Sequence, residues 1–278
     1  MPYDKLSAVV SVILLCLALS LVVVLPTETL SFVILGSPLT IRFFQNWLAA
    51  LSLVRTGLRA ALLASMACVG AASIVRLHPL SQEGKLPHTF VFSILPGLAT
   101  LLATLLLPRT PDRIYTLGGL AVLGILLLLT ITAEYRAVDP SAPGYKTARL
   151  GLNFIAYLIA LVLLALIHES EAHELLTAVA ALAVSSLLAL DLLHGAQQGF
   201  RRTSLYALIA GLVMGEIVWA LSYLKMSNLT AGILLLLIFY LITGLARQGL
   251  LKLLNRRILI EFAVVALIGL ALLLKYGP

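Results

Sequence analysis

Residues 148–167 read Ala-Arg-Leu-Gly-Leu-Asn-Phe-Ile-Ala-Tyr-Leu-Ile-Ala-Leu-Val-Leu-Leu-Ala-Leu-Ile, with Arg149 the one charge in the stretch. A run of about 20 apolar residues is the length that spans roughly 30 Å of hydrocarbon. Lipid offers no partner to backbone amides, so such a run must satisfy its own hydrogen bonds as a helix. The period-two alternation of a membrane β-barrel is absent from it.

Runs of this kind recur along the chain. Nine qualify: 6–25, 57–76, 89–108, 115–133, 148–167, 175–194, 203–224, 229–246 and 257–275. Composition agrees, with 61% hydrophobic and 11% charged residues against about 25% charged in a soluble domain. Too little polar surface is available to cover a water-soluble fold of 278 residues. The expected fold is therefore all-α, a polytopic transmembrane helix bundle of about nine spans forming one membrane domain over residues 1–278. The first run ends Val-Val-Val-Leu-Pro and lacks the short core and small-residue cleavage site of a secretory signal, so it reads as a retained helix.

Three local features stand out. Pro96-Gly97 should kink or loosen the third span. Residues 27–43 place two short runs of β-branched and aromatic residues around Gly-Ser-Pro, which reads as a surface β-hairpin on the extracytoplasmic side, with a re-entrant loop as the alternative. Residues 45–56 then read as an interfacial lead-in to the second span. One helix from Asn46 to Arg76 would be about 46 Å long, so it must tilt or bend, with Gly57 as the natural place.

The net charge of +7 reads as Lys and Arg held in loops rather than as a nucleic-acid surface, since no basic-aromatic module accompanies it. On the nine-span reading twelve Lys and Arg fall on the side of the N-terminus and seven on the other. The positive-inside rule then places the N-terminus in the cytoplasm. The expected setting is a cytoplasmic membrane, with the bilayer and other membrane subunits as partners. Cys16 and Cys68 both fall inside apolar runs and read as small buried hydrophobes. No disulfide framework or metal spacing is visible and no cofactor is expected.

Few polar residues fall inside the spans. Glu216 is the leading candidate, placed near mid-span, where a charge costs roughly 2.5–3.5 kcal/mol. It is expected to face the bundle interior. Trp219 and Tyr223 follow at i+3 and i+7, on the same helix face. Gly211 and Gly215 form a Gly-x-x-x-Gly that permits close helix approach. Arg59 is a possible partner for the carboxylate. Asp191 and His194 read as a helix-end pair reaching headgroup water, or as a proton relay. Asn153 and Tyr157 read as interhelical glue. Arg247, Lys252, Arg256 and Arg257 form a basic cytoplasmic patch, with Arg257 and Glu261 paired at i,i+4. The loop His168-Glu169-Ser170-Glu171-Ala172-His173-Glu174 reads as acidic. His168, Glu169 and His173 are only weak metal candidates, because the two histidines are five apart and not on one helical face.

Leu-Gly-Ser-Pro-Leu-Thr (35–40), Gly-Glu-Ile-Val-Trp-Ala-Leu-Ser-Tyr (215–223), Phe-Tyr-Leu-Ile-Thr-Gly-Leu (239–245) and Arg-Arg-Ile-Leu-Ile-Glu-Phe (256–262) together resemble an uncharacterised family of multi-pass bacterial membrane proteins, a domain of unknown function. The resemblance implies a polytopic bacterial membrane protein with Glu216, Trp219 and Glu261 in family segments. It implies no activity.

Three function classes follow. A non-catalytic scaffold, assembly factor or accessory subunit is favoured by sparse intramembrane charge, short loops and the lack of any nucleophile or phosphate motif. A transporter or channel for a small or lipid-like solute would be built on Glu216. An intramembrane enzyme acting on a lipid-linked substrate would need Asp191, His194 or the acidic loop to converge with another polar group at one membrane face.

Overall fold

The computed structural model describes residues 3–22, 38–82, 89–109, 113–142, 144–170, 174–195, 199–223, 227–253 and 255–276. Ten α-helices run through these residues: α1 (Tyr3–Val22), α2 (Pro38–Val75), the short α3 (Pro79–Gln82), α4 (Ile94–Leu106), α5 (Arg113–Arg136), α6 (Tyr145–Glu169), α7 (Glu174–His194), α8 (Phe200–Leu221), α9 (Asn228–Leu250) and α10 (Arg256–Tyr276). Among the described residues seven helical segments are long and apolar enough to cross a membrane: Gly57–Val75, Thr89–Arg109, Ile114–Arg136, Tyr145–Glu169, Glu174–His194, Phe200–Leu221 and Asn228–Leu250. They match the second to eighth of the nine expected spans. The first and ninth are helical as α1 and α10 but stand outside the seven, so the nine-span count is not supported as it stood.

Long-range contacts fix how the helices alternate. At one end Arg59 Nη1 of α2 donates to the Ser20 carbonyl of α1 at 3.3 Å, Arg109 pairs with Glu169 at 3.4 Å, and the Tyr223 hydroxyl donates to Glu174 at 2.8 Å. At the other end the His78 and Tyr135 rings meet at 4.8 Å, Phe92 and His194 at 5.3 Å, and Phe90 and Phe200 at 5.7 Å. These are called the Glu169 end and the His78 end below.

The segment at the centre is Thr89–Arg109, two-thirds of whose apolar window is buried against a third or so for most others. It packs on α2, α5, α6 and α7. Gly97 explains the closeness to α2, because a Cβ there would collide with Cys68 Sγ. The Cys68 thiol, half-buried like Cys16, donates to the Ser93 carbonyl at 3.3 Å.

Pro96 follows a change of helix type near the start of its span. Residues Thr89–Ser93 form a 3₁₀ turn and the α-helix starts at Ile94, so Pro96 lies in the first helical turn, where a missing N–H costs no internal bond. The hairpin gives way to helix where its residues are described, and residues 45–56 run helically into the second span. Pro38–Val75 is one helix of 38 residues, about 57 Å long, so the second arm (38–43) and residues 45–56 are its first turns. Pro38 sits where proline suits a helix best, at the start. The hairpin's first arm, 27–37, lies outside the described residues, and no strand occurs among the described ones.

Candidate functional site

Glu216 lies on the outward face of α8, not in the interior. It is five residues from the end of the helix at Leu221, so it is also shallower than mid-span. The cause is the Gly pair beside it. Gly215 lies against the Ala178 carbonyl and Leu182, and Gly211 against Leu182 and Ser186. These glycines take the α7-facing positions, and Glu216 is turned to the rim. It lines a shallow groove of about 220 Å³ with Leu175, Ala178, Val179, Leu182, Leu212 and Trp219. Trp219 and Tyr223 share its face as expected, 50% and 65% exposed, with ring centroids 6.4 Å apart. Arg59 is not its partner, since it is committed to α1 through Ser20.

Charge is instead buried at the His78 end. Glu134 near the end of α5 is 0% exposed, Asp191 near the end of α7 is 2% exposed, and Arg149 in α6 is 8% exposed. The three lie within electrostatic reach of one another. Helix alternation brings them together: each sits within two turns of a helix end on the same side. Arg149 Nη2 donates to the Asp191 backbone carbonyl at 2.9 Å. That carbonyl is among the last four of α7, which have no partner inside the helix, and a cation there also suits the helix dipole. Gly195 leaves room for this, because a Cβ at that position would lie 2.5 Å from Arg149 Nε.

The carboxylates fare differently. Both oxygens of Glu134 and Oδ1 of Asp191 are buried without a hydrogen-bond partner. Buried threonines elsewhere in the bundle show what satisfied burial looks like: Thr100, Thr104 and Thr130 donate to carbonyls one turn back at 2.9, 2.8 and 2.7 Å. A buried polar group left without a partner costs several kcal/mol, and three of the buried oxygens without one belong to this cluster.

The end beyond the cluster is closed by apolar contacts. Val75, Phe92 and Val138 form a small core with Leu80 against it. His78 stacks edge-on against Tyr135, and burial lowers its pKa, opposed by the charge of Asp139. Asp139 accepts from Ser141 N and Oγ at 2.9 and 2.6 Å, and these bonds hold its pKa below the usual carboxylate range.

The comparisons with known proteins bear on this geometry. The family described as a protein of unknown function, DUF5656, matches residues 25–275. The chain belongs to that family. No curated protein and no solved structure matches it. The resemblance drawn from residues 35–40, 215–223, 239–245 and 256–262 is thus to a real family, and the DUF5656 description carries no activity to transfer.

The remaining candidates of this DUF5656 chain are scattered. Asp191 and His194 are not a pair reaching headgroup water: Asp191 is buried, and half-buried His194 meets Phe92. Tyr157 does join two helices, its hydroxyl 3.2 Å from Thr243 Oγ1 of α9, while Asn153 is half-buried on α6. Arg247, Lys252, Arg256 and Arg257 are exposed around the α9–α10 connection, and Arg257 pairs with Glu261 at 3.4 Å. His168 is half-buried and Glu169 is taken by Arg109. His173 lies outside the described residues, and no group of three metal-capable side chains occurs among the described ones.

Glu134 and Arg149 were not singled out by sequence. A usable signal existed. In nine alternating helices an acid in the last turns of the fourth and sixth spans and an arginine in the first turns of the fifth must share one end.

Proposed function

We propose that the protein is a non-catalytic component of a membrane assembly, a scaffold, assembly factor or accessory subunit, and that it receives a partner transmembrane helix along the α7–α8 groove. The observation that carries this reading is Glu216, a carboxylate on the outward face of a membrane-crossing helix and set in an apolar groove. A charge facing lipid is costly. Cβ bonds tilt toward the helix N-terminus, so the side chain leans away from the nearer interface rather than toward it. A partner helix that brings a hydrogen-bond donor to this depth removes the cost, and exposed Trp219 supplies the flanking contact area such a helix would cover.

The setting belongs to the same reading: a bacterial cytoplasmic membrane, N-terminus inside, with α1 and α10 as further spans. Helices of 20 and 21 residues reach about 30 Å, enough to cross, and α1 buries Leu6, Val10, Ile13 and Leu17.

The test uses a photo-crosslinking residue at Leu212 or Trp219 in native membranes. A crosslink to one membrane protein, lost on Glu216→Leu and reduced to background when the probe is moved to exposed Leu150 of α6, is the expected result. Crosslinks to lipid alone, unchanged by Glu216→Leu, would overturn it.

Transport of a small solute is favoured by a separate observation, the buried Glu134 and Asp191. It takes its carboxylate from that cluster and not from Glu216. Asp191 also meets the condition set for an enzyme, convergence with another polar group, but its burial favours a small solute over a lipid-linked substrate.

A further inference from the structure

Counting charge around Glu134 defines a deficit. Arg149 offers one positive charge to two carboxylates, and its Nη2 is engaged by a backbone carbonyl. No side-chain ion pair joins it to Glu134 or Asp191 among the described contacts. Among the described residues the other charges near this end do not close the gap. Asp4 and Lys5 of α1, Arg76 after α2, Arg136, Lys146, Arg201, Arg202 and the cations around the α9–α10 connection are all exposed. Asp139 spends its carboxylate on Ser141, and the ring of His78 accepts the Leu80 amide at 3.3 Å, which requires an unprotonated Nδ1.

We propose that Glu134 and Asp191 form a binding site for one small monovalent metal cation, of which sodium is the type. Three buried oxygens without partners, Glu134 Oε1 and Oε2 and Asp191 Oδ1, are hard donors that suit an alkali or alkaline-earth ion rather than a soft metal. The charge decides between those two. With Arg149 present, one positive charge brings the cluster to neutrality, whereas a divalent ion would leave a buried net charge. Burial sets the size: with Glu134 0% exposed and Asp191 2% exposed, the ligand must enter nearly dehydrated, which magnesium resists. The two carboxylates do not hydrogen-bond each other, so one proton shared between them does not satisfy both. The site is independent of the Glu216 groove, which lies toward the other end of the bundle.

The experiment uses the purified full-length protein in detergent. Sodium chloride replaces choline chloride at constant ionic strength while thermal unfolding is followed, and binding of radioactive sodium is measured at equilibrium. The expected result is one sodium per chain and a saturable rise in Tm of about 3 °C or more. Both should disappear in Glu134→Gln and Asp191→Asn and persist in Glu261→Gln. Glu134→Asp keeps the charge and shortens the side chain. It should fold and weaken sodium affinity roughly tenfold or more. A Tm rise that choline reproduces would overturn the site. So would sodium binding that survives in both neutral variants, or an unchanged affinity in Glu134→Asp. Absence of sodium binding to the wild type, with an infrared band of a protonated buried carboxyl lost in Glu134→Gln, would replace the metal ion by a proton.

Discussion

Gly195 is bare because Arg149 occupies the space a side chain would fill. Gly195→Ala should push the guanidinium off the Asp191 carbonyl and leave a buried charge short of its acceptor. The expected loss is about 1–3 kcal/mol, read as a lower Tm, and Gly199→Ala, where a Cβ meets nothing within 4 Å, should show no comparable loss. His78 makes a pH prediction. Its pKa is lowered in the fold, so the unfolded chain binds a proton more readily, and stability rises with pH. The contribution is present above the unfolded value of about 6.5 and is lost as pH falls below it. Protection of amides in 76–82 and 137–142, taken relative to the intrinsic base-catalysed exchange rate, should fall as pH drops from neutral toward acid, and His78→Gln should flatten that response. Protection that does not change with pH in the wild type would count against it. Residues of this kind were the least legible in sequence. In a soluble helix a polar stripe tells which face is outward. Here both faces are apolar, so the run around Glu216 does not say which way the carboxylate points. Glu216 was therefore placed inward and Glu134 overlooked.

Whole elements were read far better, because apolar length alone decides them. The boundaries of α5 to α9 follow the apolar runs to within a few residues, and the Gly-x-x-x-Gly of α8 does what such pairs do. Residues 38–43 are helix rather than the second arm of a hairpin, because β-branched and aromatic residues around a Gly-Pro pair are a local preference, and propensity yields to a continuous helix. At this scale α7 and α8 give a graded prediction. A methyl at Gly211 collides with Ser186 Oγ and comes within 2.6 Å of the Leu182 carbonyl, while at Gly215 the nearest atom is 3.0 Å away. Gly211→Ala should therefore destabilise by about 1–3 kcal/mol, with Gly215→Ala clearly milder, in thermal unfolding of the purified protein. Equal effects would mean that the helices are not this close. The end of α9 offers a gain instead. Lys252 has φ 54, and the bonds Lys252 N to Gly249 O and Leu253 N to Gln248 O, at 3.1 and 3.0 Å, form a Schellman cap that favours glycine at this position. Lys252→Gly should raise stability by up to about 1 kcal/mol, and Lys252→Ala should not.

At the scale of the molecule, the helix alternation has consequences for orientation. The contacts Arg59–Ser20, Arg109–Glu169 and Tyr223–Glu174 place the C-terminal end of α8 at the Glu169 end, and so α9 returns to the His78 end. The positive-inside count treated Arg149 as a loop cation, yet it is buried as a cap on α7 and should not be counted. Removing it leaves the His78 end still ahead, eleven to seven, and the exposed Arg247, Lys252, Arg256 and Arg257 lie at that end. Charges near the ends of spans carry the orienting signal, so the α9–α10 connection should face the cytoplasm. Single cysteines in a variant with Cys16 and Cys68 replaced by serine check this. In intact cells an impermeant maleimide should label Ser222→Cys and leave Leu253→Cys unlabelled until the membrane is opened. The reverse pattern would turn the molecule over and put the Glu134 cluster at the outer face. Labelling of both in intact cells would mean that α9 does not cross, and the alternation on which the shared end of Glu134, Arg149 and Asp191 rests would fall with it.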